Sequence, residues 1–128
     1  MNILGIDYGL VNIGLAIAYD DLVSPYGNLK RKNDAVLLGK VLEISKREKI
    51  NKIVIGLPEG KVAPLVKDFS QKISKIINIK VVLVNEDLSS QNAINTMIKL
   101  GKKRKDKKKL EHQIAACLIL QNYLEGIS

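Results

Sequence analysis

Apolar positions along this chain follow two different periods. Residues 2–8 and 12–19 are aliphatic runs with little polar interruption, joined by a short turn that contains Gly9, and they predict a hairpin of two strands. Residues 22–29 make a weaker third strand, because Pro25 confines that segment to a sheet edge or an irregular strand. Asn33 or Asp34 can cap a helix running to about Lys49, with Leu37, Leu38, Val41, Leu42 and Ile44 as its apolar side. Residues 52–58 are a short apolar run stopped by Pro58, the pattern of a central strand buried on both faces. Pro64 suits a first helical turn, and Leu65, Val66, Phe69, Ile73, Ile76 and Ile77 then recur at helical spacing. Residues 81–84 predict another buried strand. Ser89 or Ser90 can cap a helix carrying Ala93, Ile94, Met97 and Ile98, which Gly101 ends. A last helix is predicted over 110–124. It is nearly apolar through 114–120 and must therefore lie against the sheet.

The order is three strands, helix, strand, helix, strand and two helices. An antiparallel meander followed by strand–helix crossovers gives an α/β fold: a mixed five-stranded sheet with helices on both faces. No repeat or linker interrupts the 128 residues, which read as one domain over 1–128.

Composition changes this picture in two places. Trp is absent and the aromatics are four Tyr and one Phe, so the core is aliphatic. The net charge is +8, and residues 101–109 alone hold seven basic groups against one acid, leaving only +2 for the rest of the chain. A local basic patch on a nearly neutral domain suits an anionic surface or nucleic acid; the plainer alternative is a solvated loop. The single Cys117 has no intramolecular disulfide partner and sits in an apolar helical run, as expected of a buried thiol in a reducing compartment. The first residues carry no basic leader region and no apolar run reaches membrane-spanning length, so the chain reads as cytoplasmic.

The candidate chemistry begins at Asp7, a carboxylate in the apolar run 3–9. Such a group is unfavourable to bury unless something pairs with it, and metal coordination is one answer. The alternative is a turn carboxylate that caps the backbone at Gly9. A second acidic group, Asn85-Glu86-Asp87, follows another buried strand. Glu86 can equally be a surface strand end and Asp87 a helix cap.

Five segments in order resemble the YqgF (RuvX) family of the RNase H-like superfamily. They are Gly5-Ile6-Asp7-Tyr8-Gly9 with Ile13-Gly14-Leu15-Ala16, then Ser24-Pro25, Gly56-Leu57-Pro58, Asn85-Glu86-Asp87-Leu88-Ser89-Ser90, and the helix Ala115-Ala116 through Tyr123-Leu124. The resemblance spans almost the whole chain. It implies that the first and fourth strands lie side by side with the fifth flanking the fourth. Asp7 and Glu86 would then face one cleft as oxygen ligands for Mg²⁺ or Mn²⁺. Two such ions about 4 Å apart activate a water and stabilise the leaving oxygen in phosphodiester hydrolysis.

The sequence departs from the family pattern at three positions. The family's third acid stands three residues before the paired alanines, and here that position is His112. His112 shares a helical face with Ala115, Ala116, Ile119 and Tyr123 and should point at the sheet, as ligand, base or core filler. Imidazole suits Mn²⁺ better than Mg²⁺. Asn12 and Asp87 stand where the family has Arg, which removes positive charge beside the expected site. The basic run would flank that site, with Lys102, Lys103, Arg104, Lys105, Lys107, Lys108 and Lys109 holding backbone phosphates without reading sequence. Tyr8 and Tyr26 are the nearest candidates for base stacking.

The leading expectation is a metal-dependent endonuclease acting on structured nucleic acid. The resemblance implies either precursor small-subunit ribosomal RNA or branched DNA, with a monomer or a homodimer as the working form. The competing expectation is the same fold as a catalytically impaired nucleic-acid-binding module in ribosome biogenesis. An actin-like nucleotide enzyme also opens on Asp-x-Gly, but needs two such domains, more than 128 residues supply.

Overall fold

The computed structural model describes residues 1–85 and 104–126. Five strands, β1 (Asn2–Tyr8), β2 (Asn12–Tyr19), β3 (Leu22–Lys30), β4 (Lys52–Leu57) and β5 (Lys80–Asn85), form one sheet in the order β3-β2-β1-β4-β5. β1 and β2 pair antiparallel from Asn2↔Tyr19 to Tyr8↔Ile13, while β4 runs parallel to β1 and β5 parallel to β4. The mixed sheet expected from the sequence is therefore present. Pro25 lies on edge strand β3, where the pairing steps from Leu15↔Gly27 to Ala16↔Pro25 and leaves Tyr26 as the extra residue of a bulge. A residue without an N–H is tolerated at such a place because no ladder bond is lost.

Strand alternation divides the core in two. Leu4, Ile6 and Tyr8 of β1, Ile13, Leu15 and Ile17 of β2, and Ile53 and Ile55 of β4 face one side. There they meet Leu37, Val41 and Ile44 of α1 (Asp34–Arg47) and Val66, Phe69 and Ile73 of α2 (Ala63–Ile76). The opposite side is smaller: Ile3, Ala16, Ala18 and Val54 pack beneath Ala116, Ile119 and Leu120 of α3 (Arg104–Gly126). Small residues on that face let α3 lie close to the sheet. The Lys52 ammonium donates to the Tyr123 hydroxyl at 2.7 Å and so ties the far end of α3 to β4.

Three local expectations need correction. β5 is half-buried rather than buried, because it forms the edge of the described sheet and packs against a neighbour on one side only. Helix α1 ends at Arg47, and Lys49 takes a left-handed backbone (φ 54°) that turns the chain into β4. The basic run is not a loop throughout: from Arg104 its backbone is helical and continuous with α3. Lys and Arg are good helix formers, and propagation from a packed helix outweighs mutual repulsion screened by water. The helix expected over 89–100 lies outside the described residues.

The N-cap of α1 is as expected. The Asn33 side chain accepts a hydrogen bond from the Val36 N–H at 2.8 Å. Asn33→Ala should therefore destabilise by about 1 kcal/mol, a loss of a few degrees in Tm by thermal unfolding, while Asn33→Asp should keep the cap and most of the stability.

Candidate active site

Alternation along β1 sends Ile6 and Tyr8 toward α1 and α2, so Asp7 between them faces α3. Its Cα partner across the hairpin is Gly14. The carboxylate is only 4% exposed. His112 supplies its partner: Nδ1 lies 2.8 Å from Asp7 Oδ2 across 105 residues of sequence. Glycines make that approach possible. A Cβ on Gly14 would fall on the backbone carbonyl of His112, and one on Gly9 would lie 3.1 Å from the imidazole Cε1. Neither contact was anticipated from the sequence, although a glycine inside an otherwise aliphatic strand is a recognised sign of close backbone approach.

The pair has a defined polarity. An ionised carboxylate only accepts, so Nδ1–H donates to Oδ2 and Nε2 is left as the outward nitrogen. The hydrogen bond to Asp7 raises the His112 pKa above its ordinary value. Burial opposes the rise, and the negative charges of Asp7 and Glu111 add to it. Linkage then fixes the sign: pairing stabilises the fold fully below about pH 6.5, the unfolded value, and is lost as pH climbs through the raised native pKa. In chelator-treated protein the Tm should fall as pH is raised from about 6.5 through that native pKa, and His112→Gln should flatten the dependence; calorimetry across pH 6 to 9 reads both.

The structure thus brings Asp7 and His112 together. Glu86, Asp87, Lys102 and Lys103 lie outside the described residues. Arg104, Lys105, Lys107, Lys108 and Lys109 have their backbone in the first turns of α3, within eight residues N-terminal to His112. Asn12 opens β2 opposite Lys30, with its carbonyl against Gly9, and brings no charge. Both tyrosines proposed for base stacking are engaged elsewhere. Tyr8 is 3% exposed, tilts against Phe69 at 5.1 Å between ring centroids and accepts from Arg31 Nε at 2.6 Å. Tyr26 lies under the Arg47 guanidinium and donates to Glu48 at 2.8 Å, among residues of the α1 face. Alternation turns both away from Asp7. Cys117 is half-buried, and burial pushes its thiol up to about 11, so it is no nucleophile at neutral pH.

As a donor set, a carboxylate oxygen and an imidazole nitrogen fit a divalent ion of the Mn²⁺ type, with water and phosphate oxygens filling the other positions. Among the described residues no group of three or more His, Cys, Asp or Glu side chains is arranged to hold a metal, so further protein ligands would come from outside them.

Known proteins resemble this chain in sequence and in fold. The sequence model of one family, described as "RuvX: Holliday junction resolvase", matches residues 1–126. A protein of Endomicrobium trichonymphae, named as a candidate pre-16S rRNA nuclease, is 37% identical over 96% of this chain and 94% of its own length. One of Agathobacter rectalis with the same name is 30% identical over 100% of this chain and 97% of its own. Among solved structures, Thermus thermophilus RuvC in complex with a Holliday junction substrate superposes with a TM-score of 0.64 at 13% identity, covering 98% of this chain and 96% of that one. The fowlpox virus resolvase bound to Holliday junction DNA gives 0.63 at 16% identity, over 97% and 99%. At such identities these two speak for the fold alone, which is RNase H-like.

Proposed function

The chain belongs to the RuvX family of Holliday junction resolvases, and from that membership we propose that it is a metal-dependent endonuclease hydrolysing phosphodiester bonds in structured nucleic acid. The observation that carries this reading is the Asp7 carboxylate, almost fully buried and held 2.8 Å from an imidazole on the last helix. Asp7, His112 and Glu86 would hold Mg²⁺ or Mn²⁺. Bound there, such an ion supplies a water nucleophile at neutral pH and stabilises the leaving oxygen. Asp7 fixes the imidazole through Nδ1–H and raises its basicity. His112 Nε2 then either joins the ion or takes a proton from water, and the two roles exclude one another. The basic groups of 102–109 hold the phosphate backbone, so affinity falls steeply with salt.

The relatives named for pre-16S rRNA favour that precursor as the substrate, and processing of its 5′ end is the reaction proposed. Branched DNA is the competing substrate. Resolving a four-way junction takes two symmetric cuts and hence a homodimer, whereas a monomer suits the RNA. A cytoplasmic site of action fits either.

One observation supports a second reading, a binding module without turnover. One Asp7 oxygen, Oδ2, is already bonded to His112, where the family has an acid, and Asn12 and Asp87 stand where the family has Arg. The test is incubation with Mn²⁺ or Mg²⁺ and two labelled substrates, a four-way DNA junction and a small-subunit rRNA precursor. Metal-dependent cleavage of one of them identifies the substrate. Salt-sensitive binding with no cleavage of either would leave the binding module.

A further inference from the structure

Beyond the α3 lysines, the described residues hold a second concentration of positive charge. The end of β3 and the first turns of α1 enclose a groove of about 350 Å³ lined by Leu29, Lys30, Lys32, Val36, Leu37 and Lys40. Three lysines line it beside the aliphatic Leu29, Val36 and Leu37, and Val36 is 48% exposed. None of the three lysines is ion-paired among the described residues. Nearby carboxylates are engaged elsewhere, Asp34 with Lys72 at 3.2 Å and Glu43 with Arg47 at 3.5 Å. Lysines gathered without counter-charge repel one another, and a bound anion relieves that repulsion.

The groove lies on the α1 side of the sheet and Asp7 on the α3 side, with the β1–β2 turn at the end of the sheet between them. Leu29 is level with Ile13 and Tyr8 across the sheet, so it stands two strands, roughly 10 Å, from the residue that follows Asp7. The turn between β1 and β2 bridges the gap. Its Gly9 end adjoins His112, and its Val11 carbonyl accepts from the Arg31 N–H at 2.9 Å. Arg31 itself is anchored on Tyr8, leaving Lys30 and Lys32 exposed on either side. Leu10 and Val11 on this turn are 56% and 64% exposed, an apolar surface that a base can cover.

We infer that this groove is a second backbone-binding site for the nucleic-acid substrate, in which Lys30, Lys32 and Lys40 hold phosphates of a segment that has crossed the β1–β2 turn from Asp7. The inference rests on the nucleic-acid substrate of the preceding section but not on cleavage. A second basic site beyond Asp7 selects a substrate that spans both, which a short single strand at Asp7 alone would not do.

The test compares the intact protein with Lys30→Gln/Lys32→Gln/Lys40→Gln. The control, Lys46→Gln/Lys75→Gln/Lys80→Gln, makes the same change of charge at the other end of the sheet. Binding to the four-way junction and to the rRNA precursor is titrated against salt, with Tm confirming that both variants fold. The groove variant should bind about tenfold or more weaker at roughly 100 mM salt, with a salt slope shallower by about 2 to 3, and the control should not. That result supports the groove whether or not the protein cleaves. Equal behaviour of the two variants overturns it, and the nuclease reading then stands or falls on cleavage by the wild-type protein. No binding of either nucleic acid by the wild type overturns both. Unchanged nucleic-acid binding with lost affinity for a poly-glutamate probe overturns it and gives the groove to an acidic protein segment.

Discussion

Asp7→Asn should abolish cleavage while leaving the protein folded and bound to its nucleic acid. Asn keeps the volume of the buried side chain and still offers an oxygen to the His112 Nδ1–H, so the 2.8 Å contact can persist. What disappears is the negative charge. On the proposed function, a divalent ion would then lose a charged ligand worth several kcal/mol of transition-state stabilisation, and about 4 kcal/mol corresponds to roughly 10³-fold in rate. Loss of the carboxylate also removes the main causes that raise the His112 pKa, leaving burial, which lowers it, opposed only by the weaker effect of the Glu111 charge. Binding is kept or strengthened, because a negative charge beside phosphate is gone. Single-turnover cleavage at saturating Mn²⁺, read beside a binding titration, separates the effects. Turnover by the variant within tenfold of wild type would remove Asp7 from the chemistry.

Gly14→Ala should unfold a sizeable fraction of the protein's stability margin, against the direction that local propensity predicts. In a strand interior Ala is favoured over Gly by about 0.5–1 kcal/mol. Here the new methyl would fall on the backbone of His112, and a clash between two backbones is not relieved by turning a side chain. The first turns of α3 must move away from β2. Overpacking of this kind takes about 1–3 kcal/mol, and the absence of a flexible partner puts Gly14 at the upper end. The same shift would draw His112 off Asp7, and a displacement of about 1 Å at a reacting group can reduce rate by roughly 10²-fold. Gly27→Ala on β3 is the control, since nothing lies within 4 Å of its Cβ position and its φ is not in the left-handed region. Urea midpoints should fall sharply for Gly14→Ala and stay level or rise for Gly27→Ala. Equal midpoints would mean that α3 does not depend on that contact.

Much of the architecture was legible because it is local. The hairpin of β1 and β2 matches its expected bounds, and the Asn33 cap and the period of α2 were readable from residue type and spacing. Depth of burial was not legible. The run at 81–84 is as apolar as a central strand, yet β5 is half-buried, because an edge is defined by which strand is missing beside it. Tyr8 and Tyr26 looked available as bases' stacking partners, yet strand alternation turns both to the α1 side. The basic run looked like a loop because dense like charge disfavours a helix locally, whereas continuity with the packed part of α3 carries the helix into it.

For the candidate site, the sequence by itself determined which groups are capable of the chemistry. It marked Asp7 as a carboxylate out of place in an apolar run and His112 as the departure from an acidic family position. It marked the basic run as a candidate phosphate-binding segment. The tertiary structure decided that Asp7 and His112 touch, that Gly9 and Gly14 leave the space for it, and that Lys30, Lys32 and Lys40 share a groove. The physical reason is one of range. Propensity, capping and alternation act over a few residues and are written in order along the chain. A contact across 105 residues depends on the stacking distance between a helix and a sheet, which is set jointly by every small side chain between them.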